Sequence, residues 1–259
     1  MDGSRWGAVT RSSAGRTLPK LEAIFQRLDD AYADDVWHWS PDYVRGPMDI
    51  IAGSILVQHT TWQNAERALE SLREAGALEP AAILALTDDA LAALIRVSGT
   101  PSVKARRLRF LAQTIAAAGG LDAFLALPLS DARPRLLATH GVGPETADAI
   151  ALYAAGHRTF VIDAYTRRIF RRLGDGPETD AYEDWRAFFE RGLPHADTTA
   201  FQQYHAWIVL HAKTRCRVKP ICGGCPLLDV CESASNGAGA TPLAGARPPA
   251  RAAAARSGR

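Results

Sequence analysis

Lysine, cysteine and methionine are scarce in this chain, and no long apolar run occurs. Its 259 residues include 4 Cys and 2 Met, and lysine stands only at Lys20, Lys104, Lys213 and Lys219. Few amine nucleophiles are therefore on offer. No apolar stretch approaches the roughly 20 residues needed to span a bilayer, so no membrane association is expected. Met1 to Arg16 lacks the apolar centre of a signal peptide, which makes a cytoplasmic protein the expectation. The formal net charge is only +2, so composition alone does not announce a nucleic-acid binder. Hydrophobic residues at 47% and charged residues at 22% exclude a wholly disordered or fibrous chain. All four cysteines fall between 216 and 231. Without a secretion signal, that crowding points to a metal or cluster site rather than disulfides.

Residues 1–16 read as a flexible polar arm and 233–259 as a disordered tail rich in Ala, Gly, Pro, Arg and Ser. Between them the pattern is helical. Leu21, Ile24, Phe25, Leu28 and Tyr32 recur at helical spacing, as do Leu91, Leu94 and Ile95 behind a cap at Thr87. Ser102 and Ser130 are further candidate caps. Helices are expected over Ala147–Ala155, Ala164–Leu173, 180–192 and 197–213. Only Thr159–Ile162 looks strand-like, and it is too short to found a sheet. The fold class is therefore all-α.

The most informative segment runs from Leu136 to Ile150. An apolar helix ends, Gly141-Val142-Gly143 turns the chain, and a small-residue helix begins. Glycines permit a sharp turn whose amides face outward, where they can meet a phosphate; a plain helix-ending glycine is the alternative. Eighteen residues after Glu145 comes Asp163, which also reads as an N-cap. A Gly-Val-Gly turn followed at this distance by Asp resembles the helix–hairpin–helix DNA glycosylases of the endonuclease III superfamily. The resemblance covers about residues 20–232. It implies that Gly141, Val142 and Gly143 grip the DNA backbone and that Asp163 is the catalytic carboxylate. In bifunctional members a lysine two residues beyond the second hairpin glycine attacks the sugar. Glu145 stands there, and it can orient water or repel a second anion.

The cysteines are spaced Cys216-x5-Cys222-x2-Cys225-x5-Cys231. Four thiolates suit a [4Fe–4S] cluster or a tetrahedral zinc, and spacing alone does not choose between them. The resemblance implies [4Fe–4S], although the family's first gap is six residues. Other residues follow from the need to flip a base out of the duplex. Gln58, within Leu56–Asn64, matches the glutamine that enters the DNA stack; a buried polar cap is its alternative. Thr100 takes the place of a wedge leucine, ahead of Lys104 on the following helix. Trp37 and Trp39 offer an aromatic wall or a clamp on the N-terminal helix, and Trp62 is a third candidate for the pocket. His205 and Trp207 read as core. Trp37, Trp39, Gln58 and the hairpin sequence are similar to the endonuclease III-related, type III 3-methyladenine glycosylase branch.

The resemblance thus implies a two-lobed fold: a helical barrel over 42–156, and a [4Fe–4S] lobe over 157–232 joined by the N-terminal helix of 17–41. The expected protein is a monomeric, nucleoid-acting glycosylase that removes an alkylated base from damaged double-stranded DNA without cutting the strand. A bifunctional glycosylase/lyase acting on oxidised pyrimidines and a noncatalytic DNA-binding cluster protein are the alternatives.

Overall fold

A computed structural model describes residues 20–35 and 44–235. Among the described residues there is no β-strand, and 157–163 runs without regular structure. The α-helices are α1 (Lys20–Tyr32), α2 (Pro47–Leu56), α3 (Trp62–Glu74), α4 (Pro80–Ala85), α5 (Asp88–Leu94), α6 (Pro101–Ala117) and α7 (Leu121–Leu125). They continue with α8 (Leu129–Ala138), α9 (Pro144–Ala149), α10 (Ala164–Leu173), α11 (Tyr182–Gly192), α12 (Thr198–Thr214) and α13 (Glu232–Ser235). Among the described residues no helix is long and apolar enough to cross a membrane.

Local chemistry sets most helix starts. Thr87 caps α5 by accepting from the Ala90 amide at 3.2 Å, as its position implied. Ser102 does not cap α6. Pro101 opens that helix and Thr100 precedes it, because proline has no amide proton to leave unsatisfied at the first helical position. Likewise α8 begins behind Pro128 rather than at Ser130.

Side chains bury into two clusters. One joins α2 to α9 through Ile51, Ile55, Leu72, Leu108, Leu136 and Ala147. The other gathers α1, α10, α11 and α12 around Phe25, Phe160, Phe170, Phe189 and Tyr204. Phe160 stacks on Phe189 with centroids 4.0 Å apart. The run from α9 into a π-helical turn, Ile150–Ala154, serves both: Ala147 and Ile150 enter the first cluster, Ala149, Leu152 and Tyr153 the second. Its alanines allow two cores to approach one helix closely.

The expected cluster lobe requires correction. Residues 216–231 form a loop with a 3-10 turn at Leu228–Val230, followed by α13. Among the described residues no group of three or more His, Cys, Asp or Glu is placed to hold a metal ion. The second unit is thus held by aromatic packing, and the cysteine loop closes over its edge.

Candidate active site and nucleic-acid interface

The hairpin between α8 and α9 follows from two glycines that do different work. Gly141 has φ of +87°, in the region that side chains disfavour. A Cβ there would also lie 2.4 Å from Cγ of Arg107. Gly143 has an ordinary φ of −90°, and a Cβ on it would meet nothing within 4 Å. Between them, Val142 turns its side chain into the barrel core. Its amide donates to Thr139 O at 3.1 Å. Gly141 thus makes room for the Arg107 side chain, and Gly143 leaves its part of the turn bare.

Gln58 is tied to this hairpin. Its amide nitrogen donates to Thr146 Oγ1 at 3.2 Å and reaches Gly141 O at 3.4 Å. Arg107 donates to its Oε1 at 2.5 Å. Two non-glycine residues have positive φ among the described residues, His59 at 55° and Thr100 at 43°. Both sit in the loops assigned to base flipping, and backbone held in this region commonly marks functional loops. Thr100 is exposed. Lys104 is not: it is 2% exposed and donates to Leu56 O at 2.7 Å and Ser98 O at 2.6 Å. Burial, then Arg107, lowers its pKa. Its ammonium fastens the Thr100 loop from beneath and does not face a phosphate.

Asp163 caps α10. Oδ1 accepts from the Thr166 amide at 2.7 Å and from Thr166 Oγ1 at 2.8 Å. Oδ2 lies 3.8 Å from His205 Nε2. Burial alone would raise this carboxyl, but the imidazole and the Thr166 donors outweigh it and hold the group below its ordinary range. Glu145, at the start of α9, goes the other way. Loss of solvent, and then the Asp163 charge, push it up to about 6. Two carboxyls in one electrostatic neighbourhood are thus shifted in opposite directions, Asp163 down and Glu145 up.

Trp62 is partly buried against the barrel core, its ring 3.9 Å from the Cβ position of Gly53. Trp37 and Trp39 lie outside the described residues. Trp207 is core, as read, and donates to Asp29 Oδ1 at 3.0 Å. His205 is buried but faces Asp163, which the core reading missed. Tyr153 and Arg107 also went unnoticed. Their partners lie 52 and 49 residues away, so no local pattern marks them.

The chain can now be placed among known proteins. Residues 52–195 match the family described as HhH-GPD superfamily base excision DNA repair protein. The chain belongs to this superfamily. A putative DNA repair glycosylase of Methanocaldococcus jannaschii is 39% identical over 213 residues, covering 81% of this chain and 94% of that one. The fold is similar to that of H. pylori 3-methyladenine DNA glycosylase bound to 1,N6-ethenoadenine. That match has a TM-score of 0.66 and 24% identity over 74% of this chain and 97% of the other. It is also similar to a non-covalent endonuclease III–DNA complex, at TM-score 0.69 and 21% identity over 86% and 99%. Membership in the superfamily supports DNA binding and glycosylase-type activity in general, and leaves the excised base open.

The cofactor does not follow with the family. Cys216, Cys222, Cys225 and Cys231 line one cavity of about 270 Å³, but no three are grouped as ligands among the described residues. Three of the thiols have polar contacts, two of them with Arg172. Cys216 Sγ accepts from Arg172 at 3.2 Å, and Cys231 Sγ donates to Arg172 O at 3.4 Å. Cys225 Sγ lies 3.7 Å from His211 Nε2, and burial pushes its thiol up to about 11. The [4Fe–4S] expectation, with its four cysteine ligands, is corrected accordingly.

Proposed function

We propose that this protein is a monofunctional glycosylase that excises an alkylated base from duplex DNA. The observation that carries the reading is the pairing of an ionised, buried Asp163 with Glu145 at the position that bifunctional relatives fill with lysine. As the bond between sugar and base breaks, its electrons leave with the base and positive charge grows on the sugar. Asp163 stabilises that charge and takes a proton from the attacking water, the carboxylate logic of glycoside hydrolysis. An alkylated purine already carries positive charge and leaves readily. The Trp37 and Trp39 segment, by its resemblance to the 3-methyladenine branch, supplies electron-rich rings for such a base.

A panel of duplexes, each with one defined lesion, tests this under single-turnover conditions. Excision of 3-methyladenine or 1,N6-ethenoadenine is expected, with oxidised pyrimidines left in place. Asp163→Asn should bind an abasic-site duplex normally and lose on the order of 10²-fold or more in excision rate. Excision of thymine glycol alone, or full activity of Asp163→Asn, would refute the reading.

A further inference from the structure

Behind Asp163 runs a buried polar chain that the proposed reaction has not used. Tyr153 projects from the π-helical turn Ile150–Ala154, a distortion frequent at functional sites. Its Oη donates to Gln202 O at 2.9 Å and lies 2.8 Å from His205 Nδ1. A phenol has one proton. That proton serves the carbonyl, which can only accept, so at the shorter contact the imidazole Nδ1–H is the donor. On the other edge of the ring, Nε2 faces Asp163 Oδ2 at 3.8 Å. His205 is thus hydrogen-bonded through Nδ1, while Nε2 stands at ion-pair range of Oδ2, and Asp163 Oδ1 is already taken by Thr166. Tyr153, His205 and Asp163 are 8%, 5% and 8% exposed, so bulk water does not supply these partners.

We infer that His205 is a positioning residue for base excision: oriented by Tyr153, it presents Nε2–H to Asp163 Oδ2 and keeps that carboxylate charged and fixed in direction. The inference rests on Asp163 being the catalytic carboxylate. Other charges bear on the same pair. Glu145 approaches from α9, while Lys213 of α12 acts on Asp163 and Arg167 of α10 acts on Glu145. Loss of the imidazole would leave Oδ2 without this neighbour, while Thr166 keeps its hold on Oδ1.

Two measurements on the full chain test this. Nitrogen-15 imidazole spectra follow His205 directly, with no need of substrate. Its Nε2 resonance should shift in Asp163→Asn and its Nδ1 resonance in Tyr153→Phe; unchanged resonances in both overturn the pairing. Single-turnover excision is then measured on the lesion duplex that the panel selects. His205→Ala should lose about 10²-fold in rate and keep its affinity for an abasic-site duplex. His205→Gln, whose amide nitrogen reaches the Nε2 position, should recover part of that rate. Wild-type rates in His205→Ala overturn the inference. If that variant does not fold, Tyr153→Phe decides: a lowered rate with abasic-duplex affinity kept supports the inference, and a wild-type rate overturns it. Full activity of Asp163→Asn together with altered His205 resonances would show instead that the pair exists but the catalytic assignment is wrong.

Discussion

Glu145 gives the residue scale its sharpest consequence. Its carboxyl moves from an ordinary 4.5 to about 6 in the folded chain. Between those values the folded state holds a proton that the unfolded state has released, so stability falls as pH rises through the window. Above it a penalty remains, reduced by the solvent that the exposed Glu145 still meets, because a charged Glu145 then stands near a charged Asp163. Glu145→Gln removes the penalty without changing shape. The variant should melt at a higher temperature than the parent at about pH 8, and the gap should close at about pH 4. Scanning calorimetry at the two pH values checks this; an equal gap at both would assign the effect to packing. Lys104 shows the opposite use of a charge. Its buried ammonium satisfies the Leu56 and Ser98 carbonyls, which holds the loop carrying the left-handed Thr100.

At the scale of elements, the hairpin, the capped α10 and the Gln58 loop converge because α9 and its π-helical turn belong to both cores. Arg133 of α8 reinforces this junction. It pairs with the fully buried Asp148 of α9 at 2.8 Å and with Glu183 of α11 at 2.5 Å, while Thr159 donates to Asp148 at 3.1 Å. A hairpin fixed so firmly can be altered in charge without moving. Gly143→Asp meets no steric obstacle and places an anion where the family's grip on phosphate is expected. It should leave the melting temperature near the parent's and weaken binding to every duplex alike, with a shallower dependence on salt. Fluorescence anisotropy with abasic and undamaged duplexes checks this, and unchanged affinity would move the grip elsewhere. These elements were legible because their signals are local. Asp163 and Thr166 are three residues apart, as an N-cap demands, and the two hairpin glycines lie in one short turn. What was illegible depended on distant partners. The inward turn of Lys104 is set by a carbonyl 48 residues away, and His205 acquires its place from Tyr153 on another helix. The cysteine spacing conveyed four neighbouring thiols but not the direction each Sγ takes.

Across the whole molecule, the distribution of lysine decides between excision alone and excision with strand cleavage. A lyase step needs an unprotonated amine that can attack the sugar and form a Schiff base. Lys20 pairs with Asp175 at 3.5 Å, on the α1 side of the second core. Lys104 is buried with two of its three donors committed. Lys219 is exposed in the cysteine loop. Lys213 alone combines a pKa lowered by burial with the influence of Asp163, so it is the amine to watch. The Asp163 charge opposes that lowering without forming an ion pair with Lys213, and Glu145 occupies the position from which the family's lysine attacks. Damaged duplex incubated with the protein should therefore yield intact abasic strands that break only after alkali or heat. Borohydride added during turnover should trap little protein on DNA. Strong trapping that disappears in Lys213→Gln would identify this residue as a relocated nucleophile and establish the lyase alternative. Trapping that survives Lys213→Gln and Lys104→Gln together would contradict this account of the site's amines.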